Sequence, residues 1–299
     1  DLRDHNYKPF DENLWKQIVD MGWTSLTISE EFDGLNFGFV GLGQILEEMG
    51  KTLTKAPLFS SIVLGATALS NSSNQKLKET WLPMLMDGTK RIAFAQDEHN
   101  YFDPNAIGTS AKKSSDGFLI SGKKTMIIDG AGADAFVVVA RTDDGEPALF
   151  MVNSSAKGVS LTSEILLDAG TYASVTFDNV EVTANDRISD VGNGTVLLNQ
   201  ILNTASICLA SEMLGIVKEA FGLTVEYLKE REQFGKRIGS YQALQHRAAI
   251  MFSEIELCKS IVITALQALD NEADNLDELA SLAKAKLGKT IKLVTNEAM

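Results

Sequence analysis

The sequence predicts an α+β multidomain protein. An N-terminal helical domain covers residues 1–88, a small β-barrel or sandwich domain covers 89–191, and a bundle of long helices covers 192–299. Three observations predict this. Apolar residues recur at helical spacing up to Gly88, short β-branched and aromatic runs separated by turn residues follow to Val191, and long apolar-periodic stretches fill the remainder.

In the first zone, "DENLWKQIVDMGW" places Leu14, Trp15, Ile18, Val19 and Met21 near helical spacing and stops at Gly22. "FGFVGLGQILEEMGKTL" predicts a second helix with Gly50 as its terminator. "SIVLGATALS" is apolar nearly all round, which predicts a buried helix. "NQKLKETWLPMLMDG" predicts another before Asp87-Gly88. In the middle zone, "RIAFAQ", "GFLISGKK", "DAFVVVAR", "ALFMVN", "GVSL" and "SVTFDNVEV" are strand candidates. Ser115-Asp116-Gly117, Asp129-Gly130, Asp143-Asp144-Gly145 and Lys157-Gly158 punctuate them, and Asp116-Gly117 predicts a hairpin. In the third zone, helices are predicted from Gly194 onward, with a break in "EYLKEREQFGKRIGSYQALQHRAA". Helices this long and apolar imply a bundle and often an oligomer face.

Charge and composition exclude several functions. With 27 basic and 40 acidic residues the net charge is −13. Such a chain is poorly suited to non-specific nucleic-acid binding, which needs Lys and Arg against phosphates. Cys208 and Cys258 lie in apolar helical contexts and are expected to be buried, reduced thiols. No stretch reads as a membrane span, no signal pattern opens the chain, and the cytoplasm is the expected location. The chain begins at Asp1 and ends at Met299 inside a helical pattern, so both ends are expected to be cut. No metal-ligand spacing, P-loop, nucleophile elbow or dinucleotide-binding glycine pattern occurs. Any chemistry is therefore expected from a bound cofactor.

The best cofactor candidate is the broken stretch itself. Arg231, Lys236, Arg237 and Arg247 concentrate positive charge in an acidic chain, and arginine suits bidentate phosphate contact. Phe234 offers a ring face and Gln242 both donors and acceptors. A helix start near Ser240 adds a favourable dipole for an anion. The competing reading is a helix hairpin whose turn is basic for solubility.

"REQFGKRIGSYQALQHRAA" resembles the R-x-x-F-G-x-x-I-x-x-x-Q segment of acyl-CoA dehydrogenases. "DMGWTSLTISEEFDGLNFGFVGLGQILEEMGKTL", "ISGKKTMIIDGAGADAFVVVART" and "SVTFDNVEV" resemble further segments of that family, in the same order. The resemblance implies a three-part fold with FAD between the β domain and the C-terminal helices. It implies α,β-desaturation of an acyl-CoA, with hydride transfer to flavin N5 and a flavoprotein electron acceptor. It places Arg231 at the FAD pyrophosphate, Phe234 near the cofactor and Gln242 on its adenosine side, contributed from a neighbouring subunit. A homodimer or homotetramer, or a heteromer with another acyl-CoA dehydrogenase subunit, is the expected assembly.

Departures from the family are equally specific. Where relatives read T-E-P-x-A-G-S-D, this chain has "AQDEHNYFDPNAIGTSA", with Asp97 in the Thr place and Glu98 in the Glu place. Where relatives read K-x-W-I-T-N-G it has "KTMIIDG", with Met126, Ile128 and Asp129 in the Trp, Thr and Asn places. Asp97, Met126 and Ile128 are the implied flavin-ring neighbours. The place of an Arg found in many relatives falls near Ser206, beside Ala205, which cannot be a base. The more common catalytic Glu is expected beyond Met299, so the catalytic residue is left unassigned. His246 and Glu254 are expected to make surface or interhelical polar contacts. Three functions stay open: a dehydrogenase, a non-catalytic dehydrogenase-like subunit that binds FAD or scaffolds an active partner, and a flavin oxidase on the same fold.

Overall fold

The structure, a computed structural model, describes residues 8–166 and 170–299. Its elements follow the α, β, α order of the sequence. The chain divides into two compact units. One comprises residues up to Asn36 together with Lys55–Leu202, the other Phe37–Thr54 with Asn203–Met299.

The first unit begins with α1 (Glu12–Asp20). Asp11 caps it by accepting from the Asn13 and Leu14 amides, and Gly22 leaves it at φ 74°. Trp15 and Ile18 form its buried face. The apolar run predicted as a buried helix is α3 (Phe59–Ser70), wound as a π-helix from Phe59 to Ala66 and buried from Ser60 to Ala66. Helix α4 (Gln75–Met86) follows. Seven strands then form one sheet: β1 (Ile92–Ala95), β2 (Ser110–Lys113), β3 (Gly117–Ile128), β4 (Ala135–Thr142), β5 (Pro147–Asn153), β6 (Val159–Ile165) and β7 (Thr171–Thr183). Their order is β1-β4-β2-β3-β7-β6, with β5 paired to β4. Strands β2 and β3 make the hairpin that Asp116-Gly117 predicts, closed by the Ser114 amide on the Gly117 carbonyl. The core holds Phe136, Phe150, Phe177 and the alanines and valines around them.

In the second unit, α2 (Phe39–Thr52), α5 (Gly194–Glu230), α6 (Gln242–Asp270) and α7 (Leu276–Ala298) carry the structure, α5 entering it at Asn203. Gly50 does not end α2. The helix continues to Thr52 and stops on Leu53 at φ 51°. Gly50 is instead a crossing point: a Cβ there would lie 2.1 Å from the Glu212 carbonyl oxygen, and one at Gly215 would lie 1.8 Å from that of Glu47. Glycines on both helices let the backbones meet. The Asp270 carboxylate accepts from the Phe39 and Val40 amides, placing an anion at the start of α2.

Helix α5 corrects one expectation. It contains an 18-residue window of mean hydropathy 1.3, long and apolar enough to cross a membrane. Half of that window is buried in the protein, and Ile207, Ala210, Leu214 and Val217 of α5 belong to the bundle core with α6 and α7. A central bundle helix is apolar on more than one side for that reason.

Candidate functional site

The break between α5 and α6 is a β-hairpin. Strands β8 (Glu232–Gln233) and β9 (Lys236–Arg237) pair antiparallel, and Phe234-Gly235 form the two-residue turn between them. Both turn residues have positive φ, 54° and 77°. This is the turn geometry that matches strand twist, and glycine suits it while phenylalanine is strained by it. The hairpin is tied at its base by the Ile238 amide on the Arg231 carbonyl, and along its side by the Tyr241 hydroxyl on the Gln233 carbonyl. Lys236 lies 4.2 Å over the Tyr241 ring. The result is a short rigid finger. It carries Phe234 at its tip, 92% exposed, with Arg231 exposed at its base. Gln242 is exposed at the first position of α6. The structure thus brings these three residues to one stretch.

Asp97, Met126 and Ile128 lie in the other unit. Strand β1 ends at Ala95, and Asp97 follows it beside β3, its carbonyl accepting from the Thr125 amide at 2.7 Å. Burial pushes the Asp97 carboxyl above its usual value, and the Lys124 charge opposes this. Met126 sits at φ 53° in a bulge, where the β3–β7 register shifts between Lys124 and Ile127. Ile128 is the last residue of β3 and 40% exposed.

Beneath them lies an ion pair that reading the sequence missed. Lys124 is fully buried; its ammonium donates to Glu98 at 2.7 Å and to the Gln96 carbonyl at 2.8 Å. Glu98 also accepts from the Gly108 and Thr109 amides, at 2.7 and 2.9 Å, and so closes the base of the β1–β2 loop. Burial pushes the Glu98 carboxyl up, but the bonds from Lys124 and Thr109 prevail and hold it below the usual carboxylate range. Burial pulls Lys124 below the usual lysine value, against the pull of Glu98. The signal was present in the strand pattern: Ile120 and Lys124 both face inward, and a lysine facing inward needs a partner.

The remaining candidates behave as expected. His246 is exposed, and Glu254 pairs with Lys286 across α6 and α7. Cys208 and Cys258 are buried and unpaired with each other, and burial raises both thiols, so neither offers a thiolate. Among the described residues no group of three or more His, Cys, Asp or Glu side chains is placed to hold a metal.

Each unit, taken by itself, carries a feature that fits part of a flavin nucleotide. The finger offers a projecting aromatic ring and a guanidinium. Near the end of β1, Gln96 Nε2 and Asp97 Oδ1 are buried and find no hydrogen-bond partner among the described residues. Buried polar atoms without partners are rare and ask for a ligand with both donors and acceptors.

The comparisons give the class and then the family. An N-terminal helical stretch, a β domain and long C-terminal helices are shared with solved acyl-CoA dehydrogenases. The chain matches the family model for the acyl-CoA dehydrogenase N-terminal domain over residues 2–89 and that for the C-terminal domain over residues 192–299. It belongs to the acyl-CoA dehydrogenase family, whose members are oxidoreductases acting on CH–CH bonds and are in general flavoproteins. Acyl-CoA dehydrogenase FadE27 of Mycobacterium tuberculosis is 29% identical over 273 residues, 91% of this chain and 69% of that protein. Butyryl-CoA dehydrogenase of Megasphaera elsdenii superposes with TM-score 0.90 at 26% identity, over 97% of this chain and 79% of that one. A chain of the ChsE4-ChsE5 complex of M. tuberculosis superposes with TM-score 0.88 at 25% identity, over 99% and 78%.

Proposed function

We propose that this chain works as an FAD-dependent acyl-CoA dehydrogenase that removes two hydrogens across the Cα–Cβ bond of an acyl-CoA thioester. The observation that carries the reading is the finger: Phe234 held at positive φ and 92% exposed, above an exposed Arg231. Strain of this kind persists where a ligand or partner uses the side chain. Arg231 would neutralise the FAD pyrophosphate, Phe234 would cover the cofactor, and Gln242 would hydrogen-bond on its adenosine side. Asp97, Met126 and Ile128 would border the flavin ring, with Asp97 as an acceptor when ionised and Met126 as a polarisable filler. FAD, when bound, supplies the hydride acceptor. Electrons would leave to an electron-transfer flavoprotein or a similar acceptor. The chain would act in the cytoplasm as a homodimer or homotetramer.

Titration of the purified chain with FAD tests the grip. The wild-type chain is expected to take up FAD, and Arg231→Ala to weaken binding about 10- to 100-fold, the worth of one charge-assisted hydrogen bond. Equal affinities for the two would remove Arg231 from the site.

A second reading is a non-catalytic or heteromeric subunit that binds FAD or scaffolds an active partner. Ala205 and Ser206 are what favour it, because neither can act as a base at that place on α5. The similarity to a chain of the ChsE4-ChsE5 complex is consistent with pairing to a second dehydrogenase-like subunit.

A further inference from the structure

Asp129 takes the place of an asparagine in the family pattern, and its surroundings are built around the carboxylate. The residue follows Ile128 directly and adopts φ 56°, ψ 14°. Its amide donates to the Thr171 carbonyl at 2.6 Å. One carboxylate oxygen accepts from the Ser60 hydroxyl at 2.7 Å, the other from the Thr171 hydroxyl at 2.9 Å. Ser60 is buried in the π-wound part of α3, and Thr171 is buried at the start of β7. One side chain therefore joins three elements at the point where β3 ends. The neighbouring Ser61 accepts from the Ile92 amide, so α3 is fastened to the sheet at two adjacent serines.

The segment leading into Asp129 needs such an anchor. Met126 and Asp129 both have positive φ, and the β3–β7 register shifts between Lys124 and Ile127. A left-handed non-glycine residue is strained and persists only where its surroundings hold it. Two lie within four residues, and between them is Ile128, exposed at the strand end.

We propose that Asp129 is a positioning residue whose carboxyl, gripped by Ser60 and Thr171, holds the Met126–Ile128 segment in the conformation that sets Met126 and Ile128 for the cofactor. The cofactor part rests on the reading given above; the anchoring part does not. The anchor also responds to pH. Desolvation pushes the carboxyl above its usual value, while the Ser60 and Thr171 hydroxyls and the Lys55 charge pull it down, and desolvation prevails. Lys55 is the charged group whose field bears on it, and Ser60 and Thr171 are its polar contacts from α3 and β7. A carboxyl with a raised value in the closed segment stabilises closure below its ordinary titration range, and that contribution is lost as pH rises through the raised value.

The test is hydrogen exchange of residues 126–130 in the purified chain without FAD, for wild type, Asp129→Ala, Asp129→Asn and Ser60→Ala, followed by FAD titration. Asp129→Ala and Ser60→Ala are expected to speed exchange in this segment about tenfold or more. Asn presents the same shape and pairs with both hydroxyls, so Asp129→Asn is expected to keep wild-type protection or exceed it. It should also abolish the rise in exchange, beyond intrinsic chemistry, that wild type shows with increasing pH. The variants that loosen the segment should weaken FAD binding about tenfold, with the Asn variant restoring it. Wild-type exchange in both alanine variants would overturn the proposal. So would loosening spread evenly over the whole sheet, which marks a general fold defect. If the wild-type chain binds no FAD, the cofactor reading fails, and the exchange data still decide whether Asp129 anchors the segment.

Discussion

Glu98 shows how one carboxylate can organise a loop. It meets a buried ammonium from β3 and two consecutive backbone amides, Gly108 and Thr109, so three donors converge on it and tie the two ends of the intervening excursion together. The excursion itself bears exposed aromatic side chains, with His99 and Tyr101 stacked at 5.1 Å and Phe102 beside them. Among the described residues, the other carboxylate that acts on Lys124 is Asp97, which contributes less than Glu98 and is itself held above its usual value by burial. Glu98→Gln is therefore expected to cost about 3 kcal/mol, because it leaves a buried lysine without its ion-pair partner. Adding Lys124→Met should recover most of that loss, since the apolar residue no longer needs a partner. Chemical denaturation of the single and double variants reads both. The pH sign follows from the depressed Glu98 value. Its contribution is present above the ordinary carboxylate range and is lost as pH falls through the depressed value. The variant should accordingly show a flatter acid limb than wild type.

At the scale of elements, the finger between α5 and α6 separates stability from function. Phe234 occupies a left-handed position that glycine adopts at no steric cost, and its ring is exposed. Phe234→Gly is expected to leave the melting temperature unchanged or slightly raised, while weakening FAD binding several-fold through the lost aromatic contact. A lowered melting temperature with unchanged FAD affinity would make the ring structural. Elements were unevenly legible in the sequence. Six strands showed themselves by β-branched runs and turn residues. Strand β2, Ser110–Lys113, did not, because four residues reading SAKK carry no alternation of their own. The finger was legible only as an interruption, since two strands of two exposed residues have no apolar face to announce them. Gly50 was misread because a glycine that ends a helix and one that lets two helices touch are identical in composition. Only the Glu212 carbonyl 2.1 Å from its missing Cβ distinguishes them.

For the whole molecule, the α–β–α order was readable because period and turn chemistry change twice along the chain, near Gly88 and near Gly194. The family followed from four motifs in order, and matches over residues 2–89 and 192–299 agree with it. The exposed hairpin residues drew attention in the sequence because Arg231, Phe234 and Gln242 lie within twelve residues of one another. Asp97, Met126 and Ile128 were reached through the resemblance, but the contacts that hold their segments were not legible. Lys124, Glu98, Ser60 and Thr171 act through contacts between residues 26 to 69 positions apart, and spacing along the chain carries no trace of those pairings. Arg231, Phe234 and Gln242 stand at the positions of the family's motif, whereas Asp97, Met126 and Ile128 replace the residues that relatives carry. The most direct measurement is anaerobic: the purified chain loaded with FAD is mixed with acyl-CoA thioesters of graded length, and the flavin absorbance near 450 nm is followed. Bleaching by at least one saturated acyl-CoA is the predicted result. A stably bound flavin that no acyl-CoA bleaches would contradict the dehydrogenase account and leave the chain as a flavin-binding subunit.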